Sequence, residues 1–126
     1  MLPPRLEADL SALSAGGWMF SLYEESGFIS VILNNMPTTP LFYNQPTTDI
    51  LVRVPRMYPE AGPDMFWTEP DLLLVDGRIP ANADVLEHYC GRQWRRFSWH
   101  RQAAWNPAMD WLGTHVELVR QRLEGP

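Results

Sequence analysis

Residues 92 to 107 read Arg92-Gln93-Trp94-Arg95-Arg96-Phe97-Ser98-Trp99-His100-Arg101-Gln102-Ala103-Ala104-Trp105-Asn106-Pro107. This stretch concentrates three tryptophans, four arginines, one serine and one histidine. Indoles bury large areas and fix geometry, while guanidinium forks bind carboxylates and stack on aromatic faces. In an extended strand, Trp94, Arg96, Ser98 and His100 point to one side and Arg95, Phe97 and Trp99 to the other. Ser98 and His100 are then same-face neighbours about 7 Å apart. A hydroxyl beside an imidazole pairs a nucleophile with a base. Without that chemistry, the same stretch is a core strand carrying an ordinary polar serine.

Beyond this stretch, Asn106 suits a helix cap and Pro107 the first helical position. Met109, Leu112, Val116, Val119 and Leu123 follow at alternating steps of three and four, which predicts one apolar helical stripe ended by Gly125-Pro126. Asp110, Thr114, Glu117 and Gln121 fall on the solvent side, and His115 reads as a surface residue.

Toward the amino terminus, Leu6, Leu10 and Leu13 predict an amphipathic helix over 4–15, opened by Pro3-Pro4 and closed by Gly16-Gly17. Two runs, 18–24 and 28–33, flank the turn Glu25-Ser26-Gly27 and read as a hairpin, with Trp18, Phe20 and Leu22 on one face. Residues 34–47 are proline-bearing loop. The run 48–54 is a third strand, with Ile50, Val52 and Val54 facing together. Pro55, Pro59 and Pro63 stiffen the next segment and prevent regular structure. The run 65–68 is a short fourth strand, 72–75 a further extended piece, and 76–84 an exposed loop. The pattern over 85–90 does not decide between elements. The expectation is an α+β fold: an N-terminal helix, a four-stranded antiparallel meander, a site segment and a C-terminal helix, forming one domain over 1–126.

Composition sets the bounds. The 126 residues are 45% hydrophobic and 20% charged, enough for one core and unlike a disordered chain. A net charge of −5 argues against general nucleic-acid affinity. All ten basic residues are arginine. Compositional bias accounts for this, and so does a protein that must not present amines to acyl transfer. The one cysteine, Cys90, leaves no internal disulfide and disfavours zinc. Asp64, Glu69 and Asp71 read as solvated acids, with no metal and no cofactor expected. No apolar run nears the ~20 residues of a membrane span, and the start lacks a signal-peptide pattern. The expected setting is cytoplasmic, away from membranes.

The order of helix, meander, proline-rich loop, short strand, site segment and final helix resembles the ubiquitin-conjugating (UBC-like) superfamily. The carriers are Val54-Pro55, Met57-Tyr58-Pro59, Pro63-Asp64-Met65-Phe66 and Trp105-Asn106-Pro107-Ala108. They are similar to that superfamily's strand-end proline, Tyr-Pro turn, Pro-x-x-x-Phe strand and Trp-x-Pro. The run Trp94 to His100 is most similar to its bacterial branch, prokaryotic family E. The resemblance implies a conjugating enzyme encoded beside a ubiquitin-like protein, an activating enzyme and a peptidase, in an antiphage defence operon.

The superfamily's catalytic cysteine lies about eight residues before the Trp-x-Pro tryptophan. Here that count reaches Phe97, with Ser98 next. The superfamily's His-Pro-Asn triplet falls near His88-Tyr89-Cys90, without the oxyanion-stabilising asparagine. Three readings stay open. Ser98 replaces the cysteine, with His100 or His88 as base and an oxyester to a ubiquitin-like protein as product. Cys90 reaches the site as an alternative nucleophile. Or the chain is a non-catalytic module that recruits the ubiquitin-like protein or activating enzyme. Arg92, Arg95, Arg96 and Arg101 form a candidate partner-binding patch that would also steady an oxyanion.

Overall fold

Leu6, Leu10 and Leu13 define the buried face of α1 (Pro4–Ala15) in a computed structural model that describes residues 2–126. Pro4 sits in the first turn, where its missing N–H costs nothing. At the other end the Gly16 N–H closes on the Ala12 and Leu13 carbonyls. Six strands follow: β1 (Phe20–Glu25), β2 (Phe28–Pro37), β3 (Thr47–Pro55), β4 (Phe66–Thr68), β5 (Val85–Tyr89) and β6 (Arg92–Phe97). The chain ends in α2 (Leu112–Arg122). The architecture is α+β.

The expected four-stranded meander is corrected to a six-stranded antiparallel sheet of order β1-β2-β3-β4-β6-β5. The first four strands do neighbour one another in chain order. The last two add a hairpin whose later strand inserts beside β4, in register Phe66↔Phe97 and Trp67↔Arg96. Cys90 and Gly91 form its two-residue turn, at φ 54 and 74. Positive φ at both central positions is what a tight hairpin needs to follow the strand twist. The segment 72–75 adds no strand; it makes one bridge, Tyr43↔Leu74, and buries Leu72 and Leu74.

The sheet has two distinct faces. One packs on the helices: Ile29, Val31, Leu33, Ile50, Val52, Val54, Phe66 and Phe97 join the α1 leucines and Leu112, Val116, Val119 and Leu123. The other carries a smaller apolar cluster of Ile32, Leu51, Trp67 and Trp94. Period-2 alternation sends the adjacent residues Phe66 and Trp67 of β4 into different clusters.

The final helix starts five positions later than the Asn106-Pro107 signal implied. The chain instead makes a local turn, with the Met109 and Asp110 N–H groups on the Asn106 carbonyl at 3.0 and 2.7 Å. The Asp110 carboxylate accepts from the Asn106 N–H at 2.9 Å and holds that turn shut. Met109, expected in the stripe, is therefore 78% exposed. Leu112, Val116, Val119 and Leu123 do face the core. His115, expected at the surface, is fully buried.

One hydroxyl joins the two helices. Tyr58 Oη donates to the Asp9 carboxylate of α1 in a short hydrogen bond. It also accepts the Leu112 N–H at 2.8 Å. That N–H is one of the donors a helix start cannot satisfy internally. Burial and the Asp9 carboxylate raise the Tyr58 pKa well above the phenol range, so the hydroxyl keeps its proton. Trp105 packs beside it, ring centroids 5.8 Å apart, and its Nε1 donates to the Pro59 carbonyl at 2.8 Å.

Tyr58→Phe removes the Asp9 donor and the Leu112 acceptor together. Chemical denaturation should show a loss of about 3 kcal/mol. An unchanged midpoint would mean that the hydroxyl does not hold the helices.

Candidate functional site

β6 stops at Phe97 because the Ser98 N–H turns away from the ladder to the Asn82 carbonyl, at 2.8 Å. Ser98 and His100 are thus not neighbours on a strand face, as the alternation predicted; both lie in the irregular segment after the sheet. Their Cα atoms, two residues apart, are still within about 7 Å. The half-buried Ser98 hydroxyl accepts from Arg96 Nε at 3.0 Å. Arg96 in turn meets Glu87 at 3.4 Å, and Glu87 accepts from Trp67 Nε1 at 2.8 Å.

His100 makes the contact that the sequence did not foretell. Its Nδ1 lies 2.8 Å from Asp64 Oδ2. The carboxylate can only accept, so Nδ1 carries the proton and Nε2 is left as the basic nitrogen in the neutral ring. With side chains 64% and 53% exposed, the pair contributes little to stability. Its effect is orientation.

Asp64 is placed from behind. Its Oδ1 accepts the Met65 N–H at 3.0 Å. Met65 stands in the left-handed region, φ 57, which is uncommon for a side chain of that size. Its carbonyl accepts from His115 Nε2 of α2, at 2.9 Å. Burial pushes the His115 imidazole down to about 4, which keeps it neutral. Its Nδ1 is buried with no partner among the described residues.

The segment between β6 and α2 is pinned at further points. Arg101 pairs with Asp110 at 2.9 Å and lies over the Trp105 ring at 5.2 Å. Trp105 rests on bare backbone at Gly62, where a Cβ would come within 1.9 Å of the indole. Only glycine permits that approach. Between these walls, Asp64, His100, Arg101 and Trp105 border a cleft of about 240 Å³.

The other sequence-derived candidates lie elsewhere. His88 is exposed on β5 and pairs in register with Gln93, five residues from Ser98 and so about 17 Å away along the strand. Cys90 is at the hairpin turn beyond it. Burial raises its thiol pKa, the opposite of what an activated nucleophile needs.

The four arginines do not form one patch. Arg92 pairs with Asp49 at 3.3 Å and stacks on Trp94 at 4.3 Å. Arg95, 7% exposed, is on the opposite sheet face. It donates to the Pro70 carbonyl at 3.0 and 2.8 Å and to the Ala83 carbonyl at 2.7 Å. Arg96 serves Ser98 and Glu87, and Arg101 serves Asp110. The acidic trio is dispersed too: Asp64 binds His100, while Glu69 accepts the Asp49 N–H at 2.7 Å. Sequence reasoning missed the Asp64–His100 pair because it spans 36 positions, which no local periodicity registers.

A family model described as Prokaryotic E2 family E matches residues 5–125. No curated protein matches the chain. No solved structure matches it.

Burial of neutral His115 sets a pH dependence. Its pKa falls from an ordinary 6.5 to about 4, so below pH 6.5 the unfolded chain binds a proton that the native state refuses. Stability should fall as pH drops through that window. His115→Gln can still donate to the Met65 carbonyl but does not titrate. Denaturation at pH 7.5 and pH 5 should show the parent losing about 2 kcal/mol more than the variant. Parallel losses would show that this imidazole is not held neutral.

Proposed function

Because the chain belongs to Prokaryotic E2 family E, we propose that it works in ubiquitin-like protein conjugation. On this reading, one domain over 1–126 accepts a ubiquitin-like protein from an activating enzyme and passes it on through an oxyester on Ser98. The observation that carries the reading is the Asp64–His100 pair at 2.8 Å, two residues beyond a hydroxyl held by Arg96. A serine needs a base within reach, and a carboxylate on Nδ1 readies Nε2 for that task.

In the proposed step, Ser98 Oγ attacks the carbonyl of the activating enzyme's thioester, and His100 Nε2 takes the hydroxyl proton. The thiolate leaves and recovers the proton, giving an oxyester and a free thiol. Arg96 faces the reacting oxygen and supplies positive charge for the oxyanion, where the superfamily's asparagine is missing. Partner contacts fall to the exposed parts of Arg92 and Arg96. Arg95 is committed to backbone carbonyls.

A second reading has its own support. The Ser98 hydroxyl is engaged by Arg96 and makes no hydrogen bond to His100. Cys90 sits about 20 Å along the hairpin with a raised pKa. Both facts suit a non-catalytic module that recruits the ubiquitin-like protein or the activating enzyme.

A reconstituted reaction followed by intact mass separates the two. Activating enzyme, ATP and the ubiquitin-like protein should add one modifier less a water. Alkali should reverse the gain and dithiothreitol should not. Ser98→Ala should abolish the adduct, Ser98→Cys should make it dithiothreitol-sensitive, and Cys90→Ala should leave it intact. His100→Ala should slow charging by roughly a hundredfold. With no lysine in the chain, an adduct must sit on a hydroxyl, the thiol or the amino terminus. Tight partner binding without any charging would establish the recruiting module instead. Charging that survives Ser98→Ala but not Cys90→Ala would move the nucleophile to Cys90.

A further inference from the structure

Nine of the ten arginines are matched to a carboxylate, a hydroxyl or a backbone carbonyl. Arg53 of β3 is not. Among the described residues its guanidinium has no hydrogen bond and no ion pair. The side chain is half-buried, and its Nε is enclosed without an acceptor. A buried donor left alone calls for an explanation. Arg53 is nevertheless held in place. Its guanidinium lies over the Phe28 ring of β2 at 4.3 Å and over the Tyr89 ring of β5 at 4.1 Å. Tyr89 in turn stands edge-on to Trp67, ring centroids 5.7 Å apart. The hairpin tip beside Tyr89 is tied back to β1, with the Cys90 N–H on Glu25 Oε1 at 3.1 Å. Arg53, Phe28, Tyr89, Trp67 and Met65 border a cavity of about 310 Å³. Glu87, Arg96 and Asp64 are the other charged groups on its wall.

We propose that this cavity is a binding site for a monocarboxylate carried on an apolar or aromatic group, with Arg53 as its anchor. The site does not depend on Ser98, on His100 or on conjugation. A carboxylate presents two oxygens in one plane, and a guanidinium offers paired N–H donors in one plane. The two ring faces hold the Arg53 fork in position before a ligand arrives, which lowers the ordering cost of binding. The walls of Phe28, Tyr89, Trp67 and Met65 then cover the apolar group behind the carboxylate. The charges on the wall select a monoanion. Arg96 is matched to Glu87 at 3.4 Å, and Asp64 is engaged by His100 Nδ1 at 2.8 Å. Arg53 is the cation left over. A phosphate dianion would bring a second negative charge toward Glu87 and Asp64 with no second free cation to meet it.

The test is an NMR titration of the whole chain with benzoate and, separately, with a short peptide ending in phenylalanine and a free carboxyl group. Binding should saturate, with shifts centred on the Phe28, Arg53, Trp67 and Tyr89 signals. Benzamide and the carboxamide form of the peptide should bind the parent at least about tenfold more weakly, a comparison that needs no variant. Arg53→Gln should lose about tenfold or more in affinity for the carboxylates. Arg53→Lys keeps the charge without the fork and should fall between the two. Ser98→Ala and the exposed Arg78→Gln should bind like the parent. A peptide that binds better than benzoate identifies a chain terminus as the ligand, and the reverse order a free acid. Phenyl phosphate binding more tightly than benzoate would overturn the carboxylate assignment. Absence of saturable binding, or affinity indifferent to the carboxyl group or to Arg53, would overturn the site and leave Arg53 as a pin between β3 and the hairpin.

Discussion

The Tyr58 hydroxyl is the constraint on which the arrangement depends. A phenol offers one proton and accepting lone pairs, and here both functions are used on buried groups from different helices. Asp9 is 7% exposed, and a carboxylate in that position is tolerated only if its oxygens are met. Tyr58 meets one, while Arg5 approaches both at 3.1 and 3.2 Å. The same hydroxyl caps the first turn of α2, which fixes where that helix starts. The start of α2 fixes His115, and His115 fixes the carbonyl of Met65 beside Asp64. The exposed imidazole at the site is thereby tied to the interior by a short succession of hydrogen bonds.

The elements that read most clearly from sequence are those whose signals are local. Ile50, Val52 and Val54 alternate and are all buried on the helix side of the sheet. Leu6, Leu10 and Leu13 repeat at helical spacing and form the inner face of α1. Pro55, Pro59 and Pro63 mark the irregular passage that carries Tyr58. What stayed hidden depends on distant partners. Asn106-Pro107 has the composition of a helix start, but Asp110 closes a turn there and Tyr58 supplies the helix with its first acceptor further on. His115 looks solvent-facing until a backbone carbonyl, fifty positions earlier, claims its nitrogen. The Val85–Tyr89 run was ambiguous because its pairing is set by a turn at Cys90-Gly91 and by the strand beyond.

The four arginines of the central stretch show how little a cluster in sequence says about a cluster in space. Alternation on β6 puts Arg92 and Arg96 on one face and Arg95 on the other, while Arg101 lies beyond the sheet altogether. Each is matched to a different need: Asp49, a pair of carbonyls, the Ser98 oxygen, and Asp110. Ser98 stands close to the position that the resemblance assigned to the nucleophile. The His88 and Cys90 positions, derived from the same alignment of motifs, are carried away along the hairpin.

Arg95 has a consequence for how this chain can vary. Its guanidinium takes the carbonyl of Pro70 and that of Ala83, the two ends of the connection from β4 to β5. One side chain therefore closes that connection at its base, and Leu72 and Leu74 anchor its near limb in the core. The outer arc around Asp76, Gly77, Arg78 and Ile79 closes on itself, with the Leu74 N–H on the Arg78 carbonyl at 2.9 Å and the Gly77 N–H on the Leu74 carbonyl at 2.8 Å; beyond that turn Ile79 is 50% exposed, and Gly77 sits at φ 88. Once its ends are fixed, doubling the length of a flexible loop costs only about 0.6 kcal/mol. The arc is thus the place where this scaffold can absorb extra residues, a tag or a grafted epitope while the sheet and the Ser98 segment keep their geometry.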